Sequence, residues 1–161
     1  MLENITKAGM DTSWLPVWED GSPGTGKECS QGALDMNFKG TKGKYLPFVK
    51  NGINYVESNG MDVISFNFTG CIMAVYTKGG SRRVCHVSTG SQQDCKGEWE
   101  KIKAASKDVK EFKPSDSIDS KKLGGSALKG CYGIITAEGK CFAVVVADKG
   151  GKSAIVEQKA L

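Results

Sequence analysis

The chain reads as an α+β protein, a β-sandwich or twisted mixed sheet with one main helix and long loops. Three observations predict this. Short apolar runs with a period of two recur between turn dipeptides, most clearly from Asp62 onward. Glycine is abundant, 21 of 161 residues, which favours frequent turns and short strands over long helices. A three- and four-residue apolar repeat appears in one stretch, Cys95 to Phe112. The length suits a single domain, 1–161, able to bury its own core.

Residues 1–60 are irregular in pattern. Trp14, Leu15, Val17 and Trp18 form an apolar knot around Pro16, and a Gly/Ser/Pro-rich turn region follows from Gly21 to Gly26. Its glycines and Lys27 lack the spacing and the strand–helix setting of a phosphate loop, so it reads as a plain loop. Ala33–Phe38 and Tyr45–Val49 predict short strands, and Asn51-Gly52 and Asn59-Gly60 are turn dipeptides of the kind that close hairpins.

Asp62–Phe68 alternates, with Ile64, Phe66 and Phe68 on one face and Val63, Ser65 and Asn67 on the other. That predicts a half-buried strand with a polar pair on its second face. Cys71–Thr77 is uniformly apolar, hence a strand buried on both faces. Arg83–Ser88 is the next strand, with Val84, His86 and Ser88 sharing one face. In Cys95–Phe112 the repeat of Trp99, Ile102, Ala105, Val109 and Phe112 predicts an amphipathic helix capped by Asp94 and stopped by Pro114. Ser115–Ser126 predicts a polar surface loop. Cys131–Thr136, Lys140–Ala147 and Ser153–Glu157 predict closing strands joined at Glu138-Gly139 and Gly150-Gly151.

Composition narrows the function classes. The net charge of +4 is modest, and basic residues are scattered without the interleaved aromatics of a nucleic-acid groove, so no nucleic-acid partner is expected. The longest apolar run, Phe142–Ala147, is too short to span a membrane. The N-terminus carries no basic region followed by an apolar stretch, so a Sec-type signal peptide is not expected. Six cysteines without such a signal are expected as reduced thiols. There is no CxxC pair and a single histidine, so no zinc or other cofactor is expected.

The chemistry concentrates between Ser65 and Gly90. A Cys–His enzyme needs a thiol nucleophile and an imidazole to take its proton. His86 is the one histidine in the chain, so any such pair must use it. Cys71 follows Thr69-Gly70 at what reads as a tight connection between strands, and Lys78-Gly79-Gly80-Ser81 closes a hairpin that brings Cys71 and His86 onto facing arms. Gly70 lets a carbonyl approach the backbone, leaving the Cys71 N–H available as an oxyanion donor. Cys85 points away from the His86 face; Cys131 and Cys141 remain rival nucleophiles, and Cys29 and Cys95 read as structural or simply exposed. Ser65, six residues before Cys71, is a candidate to hold the second imidazole nitrogen. An ion pair with His86 would depress the Cys71 thiol pKa.

Ser65-Phe-Asn-Phe-Thr69-Gly70-Cys71, then a hairpin, then Val84-Cys85-His86, resembles the core of bacterial Cys–His glutamine deamidases. These include the catalytic domain of cytotoxic necrotizing factor toxins, Burkholderia lethal factor and, more distantly, the chemoreceptor deamidase. Phe68-Thr69-Gly70-Cys71 is similar to the Leu-Ser-Gly-Cys motif of that superfamily, and Ser65 falls where a threonine is usual. The resemblance covers roughly Ser65 to Gly90. It implies a necrotizing-factor-like fold and a secreted or translocated toxin or effector, monomeric, acting in a target cell's cytoplasm. The implied reaction converts a target-protein glutamine to glutamate through a Cys71 thioester, with His86 as base, Ser65 as the orienting group and Gly70 and Thr69 in the oxyanion turn. The substrate would be a folded protein such as a GTPase or translation factor, met at a shallow site and selected by the loops Gly21–Lys44 and Lys113–Gly125. A cysteine protease, a transglutaminase, and a non-enzymatic binding or immunity module are the competing readings.

Overall fold

The computed structural model describes residues 1–19, 21–90 and 95–161. It is a mixed α+β structure whose regular secondary structure is mostly strand, in two sheets. The strands are β1 (Glu28–Cys29), β2 (Leu34–Phe38), β3 (Thr41–Pro47), β4 (Ile53–Glu57), β5 (Val63–Phe66), β6 (Ile72–Lys78), β7 (Ser81–Val87), β8 (Lys107–Phe112), β9 (Ala127–Ile135), β10 (Cys141–Lys149) and β11 (Lys152–Ala160). The helices are α1 (Lys96–Ala104) and the single-turn α2 (Ser120–Leu123). One sheet runs β1-β4-β7-β6-β8 and the other β11-β10-β9-β5-β3-β2. The pairs β1–β4 and β3–β5 are parallel.

Alternation along the strands sorts the apolar residues into three layers. Met73, Val75 and Val84 of one sheet meet Val63, Cys131, Ile135 and Val145 of the other in the core between the sheets. Ala74, Tyr76, Cys85 and Val87 face the opposite way and lie under Trp99 and Ile102 of α1. β6 is therefore buried on both faces, as its apolar run predicts. The outer face of the second sheet, with Tyr45, Ile64, Tyr132, Val144 and Ile155, is covered by Leu2 and Leu15 of the N-terminal segment. The apolar knot around Pro16 is strapped down by hydroxyls. Tyr132 Oη donates to the Pro16 carbonyl at 2.8 Å and Tyr45 Oη to the Trp18 carbonyl at 2.5 Å.

Several expectations are corrected. The helix expected over Cys95–Phe112 ends at Ala104, and the rest is strand β8, paired with β6. Val109 and Phe112 are three apart, which mimics a helical repeat. In a strand that separation puts them on opposite faces, Val109 against the α1 layer and Phe112 against the inter-sheet core. Asp108, at φ +52°, lies at the irregularity where the register shifts between Val75 and Thr77. The capping role expected of Asp94 falls outside the described residues. Ser115–Ser126 contains a 3-10 turn, Pro114–Ser117, and α2 rather than plain loop. Asn51-Gly52 and Asn59-Gly60 are turns but close no hairpin, since β3 and β4, and then β4 and β5, belong to different sheets. The N-terminal third, irregular in pattern, holds β1 to β4. No helix among the described residues is long and apolar enough to cross a membrane.

Candidate active site

The β6–β7 hairpin registers Met73 opposite His86 and Ile72 opposite Val87. Cys71 stands one residue before β6, on the same face as Met73, and both belong to the inter-sheet core. Residues diagonal across an antiparallel pair on one face are neighbours, so Cys71 and His86 share one patch of that face. Ser65 arrives from the other sheet. Val63 and Ser65 point inward from β5 while Ile64 points out. Ser65 is fully buried rather than on a half-exposed polar face, and its partner is the imidazole across the gap.

The hydrogen bonds at Ser65 assign the histidine tautomer. Ser65 Oγ lies 2.5 Å from the Leu46 carbonyl oxygen and 2.8 Å from His86 Nδ1. A carbonyl can only accept, so the single hydroxyl proton goes to Leu46. Ser65 Oγ therefore accepts, and Nδ1 must carry the imidazole hydrogen. Nε2 is left with its lone pair and, although buried, has no hydrogen-bond partner among the described residues, the Cys71 thiol included. The ring stacks on Phe68 with centroids 4.0 Å apart and a 9° interplanar angle, and Phe48 tilts against it at 5.2 Å. Burial without an opposite charge pulls the His86 pKa down to about 3. The arrangement is a neutral imidazole, fixed in orientation, offering an unprotonated nitrogen.

Cys71 is 6% exposed, so only the edge of the residue reaches solvent. Burial pushes its thiol pKa up, while the neighbouring Thr89 N–H and hydroxyl act against that rise. The sequence leads one to expect a depressed thiol pKa. The structure has the opposite direction, because His86 is neutral and contributes no positive charge. Gly70 has φ +143°, and a Cβ there would meet nothing within 4 Å. Backbone conformation, not lack of space, makes glycine the residue for this turn. The Thr89 hydroxyl donates to the Gly70 carbonyl at 2.9 Å. Thr69 is exposed in the same turn.

The remaining cysteines are placed elsewhere. Among the described residues no cysteine forms a disulfide. Cys85 faces the α1 layer and is fully buried, with its pKa raised well above the usual thiol value by desolvation. Cys131 is buried in the inter-sheet core and pushed up to about 12, and burial also raises Cys141. Cys95 is buried at the start of α1, and Cys29 is partly exposed with its thiol 3.8 Å from Asn54 Oδ1. Among the described residues no group of three or more His, Cys, Asp or Glu side chains is arranged to hold a metal.

Sequence reasoning missed three contributors. The Leu46 carbonyl is backbone and leaves no signature. Asn54, opposite His86 in the β4–β7 register, is fully buried, donating Nδ2 to the Gln31 and Pro47 carbonyls at 2.9 and 3.0 Å and accepting from the Gln31 N–H at 2.8 Å. An asparagine within Ile53-Asn-Tyr-Val56 was the available signal. Gly133, opposite Ser65 on β9, is the third. A Cβ there would come within 2.5 Å of Met73 Sδ and 3.2 Å of Phe68 Cε2. Gly133→Ala should therefore cost about 2 kcal/mol by overpacking, read by denaturant unfolding, and should shift the His86 ring resonances as Phe68 is displaced.

The chain matches no family model, no curated protein and no solved structure in comparisons with known proteins.

Proposed function

We propose that the protein is a protein-glutamine deamidase of the bacterial toxin or effector kind, with Cys71 as nucleophile, His86 as base and Ser65 as the residue that orients the imidazole. The observation that carries the reading is the Leu46 O···Ser65 Oγ···His86 Nδ1 chain, which leaves Nε2 unprotonated and without a partner among the described residues, on a histidine that the β6–β7 register sets diagonal to Cys71. A packed core histidine has no need of a free acceptor nitrogen, whereas a general base does.

The resting pair in this reading is neutral. His86 Nε2 takes the Cys71 proton as the sulfur attacks the carboxamide carbon of a target glutamine. The tetrahedral oxyanion is held by the Cys71 N–H beside Gly70. The C–N bond breaks, ammonia leaves with the proton from His86, and water activated by the same nitrogen hydrolyses the thioester to glutamate. The target loses a neutral donor-bearing side chain and gains a charge, which would disable a GTPase whose glutamine positions the attacking water.

The test is mass spectrometry of eukaryotic and bacterial lysates treated with the native protein or with Cys71→Ser. A gain of about 1 Da on one glutamine, absent with Cys71→Ser, supports deamidation. Cleavage of a peptide bond would move the reading to a protease, and attachment of an amine to a transglutaminase. The burial of Cys71 and His86 favours one other reading, a binding or immunity module whose cysteine and histidine are core residues. It predicts identical lysates and a function indifferent to His86→Ala.

A further inference from the structure

Thr89 follows β7 by two residues and leans back over the turn that carries the nucleophile. Its hydroxyl donates to the Gly70 carbonyl at 2.9 Å. That carbonyl and the Cys71 N–H belong to one planar trans peptide and point in opposite directions. Holding the oxygen therefore holds the N–H. Cys71 precedes β6, so its N–H lies outside the β6–β7 ladder that would otherwise fix it. Gly70 at φ +143° has the backbone freedom to let this peptide rotate. A donor that reorients during reaction stabilises an oxyanion less than one already aimed.

We propose that Thr89 is a positioning residue for the oxyanion donor: its hydroxyl locks the Gly70–Cys71 peptide so that the Cys71 N–H points to where negative charge develops on the substrate oxygen. The inference rests on the deamidase reading and adds to it a residue beyond the Cys–His–Ser set. It predicts that Thr89 affects acyl chemistry at Cys71 and spares other chemistry at the same sulfur.

Two probes separate those effects. With p-nitrophenyl acetate the Cys71 sulfur bonds to the acetyl carbon through a tetrahedral oxyanion, and the ester C–O bond then breaks to release p-nitrophenolate. With iodoacetamide the sulfur displaces iodide at a saturated carbon, and no oxyanion forms. Because the Thr89 hydroxyl also faces the sulfur, rates are compared at pH high enough to ionise the thiol fully. Thr89→Val should slow acylation of Cys71 by about 10- to 100-fold while alkylation stays within about threefold. Thr89→Ser should restore acylation. Acetyl and carbamidomethyl adducts are located by mass spectrometry, with Cys71→Ser as control. Acylation unchanged in Thr89→Val, or acylation and alkylation slowed equally, would overturn this inference while leaving Cys71 as nucleophile. No acetyl adduct on Cys71 and no p-nitrophenolate release beyond that of Cys71→Ser would overturn the deamidase reading and this inference with it.

Discussion

Ser65→Ala should reduce glutamine deamidation by about 10²- to 10⁴-fold, mostly in kcat, while Ser65→Thr keeps most of the activity. The hydroxyl acts through the proton inventory of the imidazole. In the native protein the Leu46 carbonyl accepts the Ser65 hydroxyl's one hydrogen bond, so Ser65 presents only lone pairs to Nδ1. Remove Oγ and the buried Nδ1–H loses its acceptor, an expensive loss away from water. The ring then gains by moving its hydrogen to Nε2, the nitrogen that has to receive the thiol proton. Serine differs here from the carboxylate of a serine-protease triad. It fixes the tautomer but brings no negative charge, which fits an imidazole whose pKa lies well below the ordinary value. Because the chain has one histidine, the ¹⁵N shifts of a single imidazole report the tautomer directly. The native spectrum should show hydrogen on Nδ1, and Ser65→Ala should show substantial hydrogen on Nε2. Full activity in Ser65→Ala with an unmoved tautomer would remove Ser65 from the site.

The parts of this site that were legible in the sequence are those that depend on order along the chain. Lys78-Gly79-Gly80-Ser81 announces the hairpin, and period two then places His86 with Val84 and apart from Cys85, as observed. The α+β class follows from the same periodicities. What pattern could not supply is the meeting of two sheets. Ser65 reads as half-exposed when its strand is considered alone, and only the stacking of β5 across from β7 buries it against His86. The direction of the Cys71 pKa shift fails for the same reason. Sequence shows a cysteine and a histidine converging, but not that both lie in a buried layer where neither gains by ionising. Asn54 was lost with β4, whose run Ile53–Glu57 is short and carries its polar residue inward. The helical period fails beyond Ala104 for a physical reason, since Val109 and Phe112 pack on two different layers from one strand.

Acid should destabilise the native fold through His86 before the carboxylates take part. In the unfolded chain the imidazole titrates near its ordinary value of about 6.5, whereas burial holds the folded-state pKa at about 3. Between those values the unfolded state binds a proton that the folded state refuses, so stability rises with pH across that window and falls as acid is added. The contribution is fully present above about pH 6.5 and is lost progressively below it. From pH 7 to pH 4 the loss amounts to about 3 kcal/mol. Glu28 and Glu111 have pKa values lowered by partners, Tyr76 with Lys78 and Lys103 with Trp99, that outweigh the desolvation acting to raise them. What they contribute is held above the ordinary carboxylate range and lost as pH falls through their lowered values, at the acid end of the window. His86→Phe separates the two sources. A phenyl ring preserves contact with Phe68 and Phe48 and cannot be protonated, while Ser65 retains its bond to Leu46. Urea unfolding of native protein and variant at pH 7, 6, 5 and 4 should give curves that diverge from pH 6.5 downward, the variant gaining about 3 kcal/mol relative to the native protein by pH 4. Parallel curves would mean that His86 is solvated or charged in the folded state. A charged imidazole cannot offer the lone pair on Nε2, and the proposed base would be lost along with the pH dependence.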